Sequence, residues 1–140
     1  MTELARATAT SSAPPDAFFA RWVDHATWPD WSPDTEWVRL DGPVTTGTGG
    51  RLKPTSGPSV RFVISVCSPP GEYTDTSHLP GARLVFRHTA TRVGDVTELH
   101  ADVAISGPLS RVWALTLGRG FRTSAQDDLD RLVRLVEAAA

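Results

Sequence analysis

The feature that most constrains the fold is a change of hydrophobic period at Gly107-Pro108. Before this point, apolar and polar residues alternate, most clearly over 60–66 and 99–105. Period 2 is typical of strands that bury one face. After it, apolar residues recur at steps of three or four: Trp113, Leu117, Phe121, Ala125, Leu129, Leu132 and Val136. The sequence therefore predicts a sheet followed by a long amphipathic helix that begins within two residues of Pro108.

Turn signals divide the region before Gly107 into short strands. Glycine and proline recur at 42–43, 47–50, 56–58, 69–71, 80–81 and 94. Such punctuation predicts hairpins and an antiparallel sheet. A weakly alternating strand is expected over 3–10. A helix should follow it, opened by Ser12 as a cap and by the prolines after it, and should end before Trp28-Pro29.

Two features leave the continuity of the last helix open. Repeated steps of four drift around an ideal helix, so the apolar stripe stays on one side only if the helix bends or restarts. Gly118 and Gly120 are the weak point. Thr123 and Gln126 have the spacing of a capping box, so a restart near Ser124 is an alternative.

A proline-broken segment, Trp28-Pro-Asp-Trp31-Ser-Pro-Asp34, follows the first helix, and we call it the tryptophan segment. Indoles are large and usually buried on at least one side. Two of them in so short a piece indicate that the segment closes over the interior. They are either ordinary core residues or part of a ligand site.

Several pieces of the chain, in order, resemble one family. They are the tryptophan segment, 40–43, 47–54, Tyr73-Thr-Asp75, 79–84, Phe86-x-His88 and Ile105-Ser-Gly-Pro-Leu109. They resemble the SRPBCC (START-like, birch-pollen-allergen-like) superfamily, and most closely its bacterial polyketide cyclase/dehydrase-like members. The resemblance implies an α+β helix-grip fold, a curved antiparallel sheet of about six to seven strands around a long C-terminal helix. One or two short helices should follow the first strand.

Composition narrows the class of protein. At 140 residues, 40% hydrophobic and 21% charged, the chain is expected to be one globular domain spanning 1–140. A net charge of −2 argues against nucleic-acid binding. A solitary Cys67 excludes an intrachain disulfide, and no segment is suited to cross a membrane, so we expect a cytoplasmic protein. The four histidines lack metal-ligand spacing, and we expect neither a metal nor another cofactor.

The implied cavity would lie between the sheet and the last helix. Its walls should come from the tryptophan segment, from inward strand positions and from the helix stripe. The candidate ligand-binding residues are Trp28, Trp31, Phe62, Ile64, Phe86, Leu99, Val103, Trp113, Leu117 and Phe121. An apolar lining with few polar groups suits a small hydrophobic molecule that is aromatic, polyketide-like or lipid-like.

Two polar residues share the inward faces and are candidates for catalysis. Asp75 follows Tyr73 by two residues and His88 follows Phe86 by two, so each has the facing of its aromatic neighbour. A four-residue connection at 80–83 would set Asp75 opposite His88, and a shorter one of the same parity would set Tyr73 there. An imidazole beside an acid or a phenol is either an acid–base pair or a structural polar contact.

Three functional hypotheses follow. The first is a protein that binds a small hydrophobic ligand. The second is a cyclase or dehydratase that uses His88 with Asp75 or Tyr73. The third is a regulatory module like the activators of the heat-shock chaperone ATPase, which an exposed apolar patch outside the sheet would favour. The sequence leaves open whether the chain forms a homodimer.

Overall fold

Seven antiparallel strands form one sheet in the computed structural model, which describes residues 1–139. The strands are β1 (Thr2–Ser11), β2 (Thr35–Leu40), β3 (Gly49–Pro54), β4 (Val60–Ser68), β5 (Glu72–Leu79), β6 (Ala82–Val93) and β7 (Val96–Ser106). The helices are α1 (Pro15–Trp22), a 3₁₀ helix (His25–Asp30) and α2 (Ser110–Ala139). This confirms the helix-grip prediction and the start of α2 within two residues of Pro108.

The first strand lies far from the second. The sheet order is β1-β7-β6-β5-β4-β3-β2, so β1 and β2 form opposite edges although they are neighbours in sequence. Between them the chain runs through α1 and the 3₁₀ helix, which contact the middle strands and β2 respectively. This crossing brings the tryptophan segment over the inner face of the sheet.

The helix α2 is continuous, so the predicted alternative of a restart near Ser124 is wrong. The apolar side chains of α2 drift around the helix axis, and they pack into two separate apolar clusters. The first half of α2 packs against Leu4, Val103 and Ile105, and the second half packs against Phe18, Trp22 and Leu99. Gly118 is buried against Leu4 of β1, which a Cβ at this position would meet at an ordinary contact distance of 3.9 Å. The stripe therefore does not need to stay on one line.

The start of α1 differs from the expected one. Its N-cap is Pro14, which forms no side-chain cap, and not Ser12. The physical reason is the Pro14-Pro15 pair: a residue before proline is pushed into the extended region, and Pro14 has ψ 157°. The helix therefore begins two residues later than a serine cap would place it. Phe18 and Trp22 lie four residues apart on one face of α1, and both are fully buried.

The turn between β5 and β6 decides the register of the candidate polar residues. It contains only Pro80 and Gly81, with Gly81 at φ +70°, and Leu79 pairs with Ala82. Tyr73 is consequently opposite His88, while Asp75 is opposite Phe86. The four-residue connection that would have paired Asp75 with His88 is not formed.

Candidate ligand cavity

A cavity of about 340 Å³ lies between the sheet and α2. Its volume is within the range of small-molecule sites. Six aromatic side chains line it: Trp22, Trp28, Trp31, Phe62, Phe86 and Phe121. Leu52, Val60, Leu79, Leu84, Val103, Leu117, Leu129 and Leu132 complete most of the apolar wall. Phe86 and Phe121 meet edge to face, with ring centroids 5.5 Å apart, so they join the sheet to the helix.

Nine of the predicted site residues line this cavity. They are Trp28, Trp31, Phe62, Asp75, Phe86, His88, Val103, Leu117 and Phe121. Strand alternation directs those on β4 to β7 inward, and helical spacing does the same for the two on α2. Their role in binding a ligand stays a prediction.

Ile64, Leu99 and Tyr73 face inward but lie outside the cavity lining. All three are fully buried in the cluster that contains Phe18, Trp22 and Leu132. The cause is α1, which packs over this end of the sheet together with the last turns of α2 and fills it. Alternation predicts which face a residue occupies, but not which part of that face another element covers.

Trp113 also departs from its expected position in the cavity wall. It is half-buried beside Val103 and Ile105, and its Nε1 donates to the carbonyl oxygen of Pro80 at 2.8 Å. An indole N–H needs an acceptor, and the β5–β6 turn provides one. Trp113 therefore anchors the start of α2 to that turn, outside the cavity lining.

Asp75 is the most perturbed acid of the cavity. It is 4% exposed and lies in register between Ile64 on one neighbouring strand and Phe86 on the other. No cationic side chain of residues 1–139 pairs with it. Burial raises the pKa of Asp75 to about 7, and hydrogen bonding by the Tyr73 hydroxyl opposes part of the rise. The carboxyl therefore changes charge near neutral pH.

His88 presents a proton-accepting nitrogen to the cavity. Its Nδ1 lies 3.2 Å from the backbone carbonyl oxygen of Tyr73. A carbonyl oxygen only accepts, so Nδ1 carries the proton and Nε2 has the free lone pair. Burial lowers the pKa of His88 to about 4, although the bond to Tyr73 opposes this. The imidazole is therefore neutral at physiological pH.

His25 also belongs to the site region, although the sequence pattern did not single it out. It is buried, and its Nε2 lies 2.6 Å from the Tyr73 hydroxyl. Its ring stacks on Trp28 at 4.7 Å. Burial lowers the pKa of His25, whereas the Val23 backbone and the charge of Asp24 raise it. The Tyr73 hydroxyl is thus directed to His25. Tyr73 contacts His88 through its backbone carbonyl oxygen and through its ring, whose centroid lies 5.9 Å from that of the imidazole.

The tryptophan segment is fastened to α2 by polar contacts. Ser32 Oγ donates to Asp128 Oδ2 at 2.9 Å, and Arg131 Nη1 donates to the Trp31 carbonyl oxygen at 3.3 Å. Burial raises the pKa of Asp128 to about 6, opposed by the hydrogen bond from Ser32 and the charge of Arg131. Sequence reasoning missed Asp128, although it follows Phe121 by seven residues and so shares its helix face.

The charged side chains of the cavity are acidic. Asp75 lies within the wall, Asp128 is half-buried beside Ser32, and Asp34 is exposed at the edge. No lysine or arginine of the described residues lines the cavity. Asp102 borders it from the opposite sheet face, where it pairs with Arg6. No group of three potential metal ligands occurs in residues 1–139.

The fold and this cavity define a helix-grip protein with an internal pocket. The sequence matches the family model for polyketide cyclase/dehydrase and lipid transport over residues 3–137, and the chain belongs to that family. The SRPBCC resemblance is thereby confirmed. A comparison with curated proteins finds no significant match.

Solved structures share the fold at low sequence identity. The protein TTHA0849 from Thermus thermophilus is 14% identical with a TM-score of 0.72, covering 97% of this chain and 98% of that one. The Zhui aromatase/cyclase from Streptomyces sp. R1128 is 18% identical with a TM-score of 0.71, covering 94% and 92%. The di-domain aromatase/cyclase StfQ of the steffimycin pathway is 13% identical with a TM-score of 0.74, covering 96% and 50%. No helix in residues 1–139 is long and apolar enough to cross a membrane.

Proposed function

We propose that this protein binds a small hydrophobic molecule in the cavity between the sheet and α2. The observation that carries the proposal is the cavity itself: about 340 Å³ walled by six aromatic side chains, with few polar groups. A well-packed interior has few voids larger than a water molecule. A space of this size therefore favours a ligand site over an ordinary core.

The test compares two tryptophan substitutions on α2. Leu117→Trp adds an indole to the cavity wall, and Leu115→Trp adds one two residues away, where Leu115 is 89% exposed. Native mass spectrometry of the purified protein detects a co-purified ligand and also shows whether the chain forms a dimer. We expect the ligand with wild type and Leu115→Trp, and at least a tenfold lower occupancy with Leu117→Trp. Equal occupancy in all three proteins would place the ligand elsewhere.

A second candidate function is proton transfer to or from the bound molecule, as in a cyclase or dehydratase. The supporting observation is that a neutral His88 and an Asp75 with a pKa of about 7 line the same cavity. The Nε2 of His88 could accept a proton from carbon while a protonated Asp75 donates one to oxygen. Tyr73 has a supporting place beside this pair, since its hydroxyl contacts His25 and hydrogen-bonds Asp75.

Isotope exchange tests this second function without knowledge of the full reaction. The co-purified ligand is incubated in heavy water with wild type or with His88→Gln, which cannot act as a base. We expect deuterium at an acidic C–H position of the ligand only with wild type. Equal exchange with both proteins would exclude His88 as the base.

The interaction-module hypothesis has a narrower basis. Leu109, Val112 and Leu115 are exposed near the start of α2, outside the sheet. Nothing in the structure shows what would cover them. The cavity between the sheet and α2 supports ligand binding more directly.

A further inference from the structure

Resting on the proposed function, we infer that the ligand is an apolar, aromatic amine that binds as its ammonium cation, with Asp75 as the counter-charge. The inference begins with the charges of the cavity. No lysine or arginine of the described residues lines it, and the arginines that pair with Asp102 and Asp128 lie outside the lining. A ligand carboxylate would therefore meet like charge and no cation, which disfavours binding.

Asp75 is the acid best placed to bind a cation. Its cross-strand neighbours are Ile64 and Phe86, and the neutral Tyr73 hydroxyl hydrogen-bonds it. No cationic side chain of the described residues pairs with it. Burying an isolated carboxylate costs much free energy, and burying one that is paired with a cation costs much less. Asp128 differs, since Arg131 and Ser32 already engage its two oxygens. An ammonium group of the ligand would give Asp75 the partner that the fold omits.

The groups around Asp75 match an ammonium ion in number and type. An ammonium has three hydrogens to donate. Ser77 follows Asp75 by two residues on the same strand face and lines the cavity, and His88 offers Nε2 as an acceptor. Three acceptors are thus available on the inner faces of two adjacent strands.

The aromatic wall adds a second attraction for a cation. The rings of Trp22, Trp28 and Trp31 lie 5.5, 6.5 and 6.4 Å from that of His88. Aromatic faces attract cations, and indoles attract them most strongly. The same rings would hold the apolar part of the molecule, so one site accommodates both ends of an arylalkylamine.

The experiment uses three probes of one shape: 2-naphthylmethylamine, 2-naphthalenemethanol and 2-naphthoate. They carry a positive, a neutral and a negative group on the same ring system. Calorimetric titration is run at about pH 8, where an alkylamine is still protonated and Asp75 is ionised. We expect the amine to bind wild type at least tenfold more tightly than the alcohol, with the carboxylate weakest.

Two variants separate the role of Asp75 from general effects. Asp75→Asn should bring the amine and the alcohol to within threefold of each other while the alcohol still binds. Asp95→Asn, at an exposed turn, should keep the wild-type preference. An alcohol that binds wild type as well as the amine would overturn the inference and leave the proposed function standing. If Asp75→Asn keeps the amine preference, Asp75 is not the counter-charge. If none of the three probes binds, both proposals fail for ligands of this size.

Discussion

Replacing Asp75 by asparagine should change how the stability of the protein depends on pH. The pKa of Asp75 rises from its usual 3.8 to about 7 because the carboxyl is buried. Between these values the folded state holds a proton that the unfolded state has released. Folding stability conferred by the protonated acid is therefore fully present below about pH 4 and is lost as pH rises through about 7.

The magnitude follows from the two pKa values. One pKa unit corresponds to about 1.4 kcal/mol, so the ionised Asp75 destabilises the folded state by roughly 4 kcal/mol above pH 7. The asparagine of the variant would be neutral throughout. The free energy of unfolding of Asp75→Asn, relative to that of wild type, should consequently rise by roughly 4 kcal/mol between pH 4 and pH 8. Most of this rise should occur between about pH 4.5 and 7.

The assay is urea unfolding followed by tryptophan fluorescence at a series of pH values. The difference between variant and wild type is the useful quantity, because His88 and Asp128 titrate in both proteins. His88 acts in the opposite direction: its pKa is lowered to about 4, so its contribution is lost as pH falls below about 6.5. Asp95→Asn is the control and should show no such trend. A difference for Asp75→Asn that stays flat across this range would refute the claim that the carboxyl is desolvated.

Three further predictions concern stability and local opening. Thr97→Val should lower the free energy of unfolding by roughly 1–3 kcal/mol in urea, because the buried Thr97 hydroxyl donates to the Ala13 carbonyl oxygen at 2.6 Å; unchanged stability would contradict this. Ser32→Ala, which removes the bond to Asp128, should speed amide hydrogen exchange over residues 28–32, whereas Ser12→Ala on the surface should not. Gly107→Ala should destabilise the protein, because Gly107 has φ +113° and an added Cβ would lie 2.7 Å from the Gly81 carbonyl oxygen. Gly120→Ala should stabilise it by about 0.5–1 kcal/mol, because an added Cβ there meets no other atom and alanine favours the helix. Thermal melts that rank the two glycine variants the other way would contradict both expectations.

The sequence was sufficient to predict the order of elements and their inward faces. Alternation directs Phe62, Phe86 and Val103 to the inner face, because successive side chains on a strand point to opposite faces independently of tertiary contacts. The helix stripe does the same for Leu117 and Phe121. These are local rules, and the structure confirms each of these positions.

Contacts between distant segments could not be predicted in this way. The partner of His88 depends on whether two or four residues form the β5–β6 turn, and both fit the same alternation. His25 and Tyr73 are 48 residues apart, and no periodic pattern connects them. Ile64 and Leu99 have the correct facing, but only the path of α1 decides that they are core and not cavity wall. The site is therefore defined mainly by how the elements cross.

The pairing of β1 with β7 has a consequence for synthesis of the chain. Ser11 pairs with Thr97 and Thr2 with Ile105, so β1 waits for partners made roughly 90–100 residues later. At ~5–20 residues per second this delay is about 5–20 s on the ribosome. A strand that stays unpaired during synthesis is at risk of aggregation. The composition of β1 (TELARATATS) lowers this risk, because it contains an acid, an arginine and three threonines but only one leucine. A more hydrophobic β1 would fit the finished sheet but would make the nascent chain more prone to aggregate.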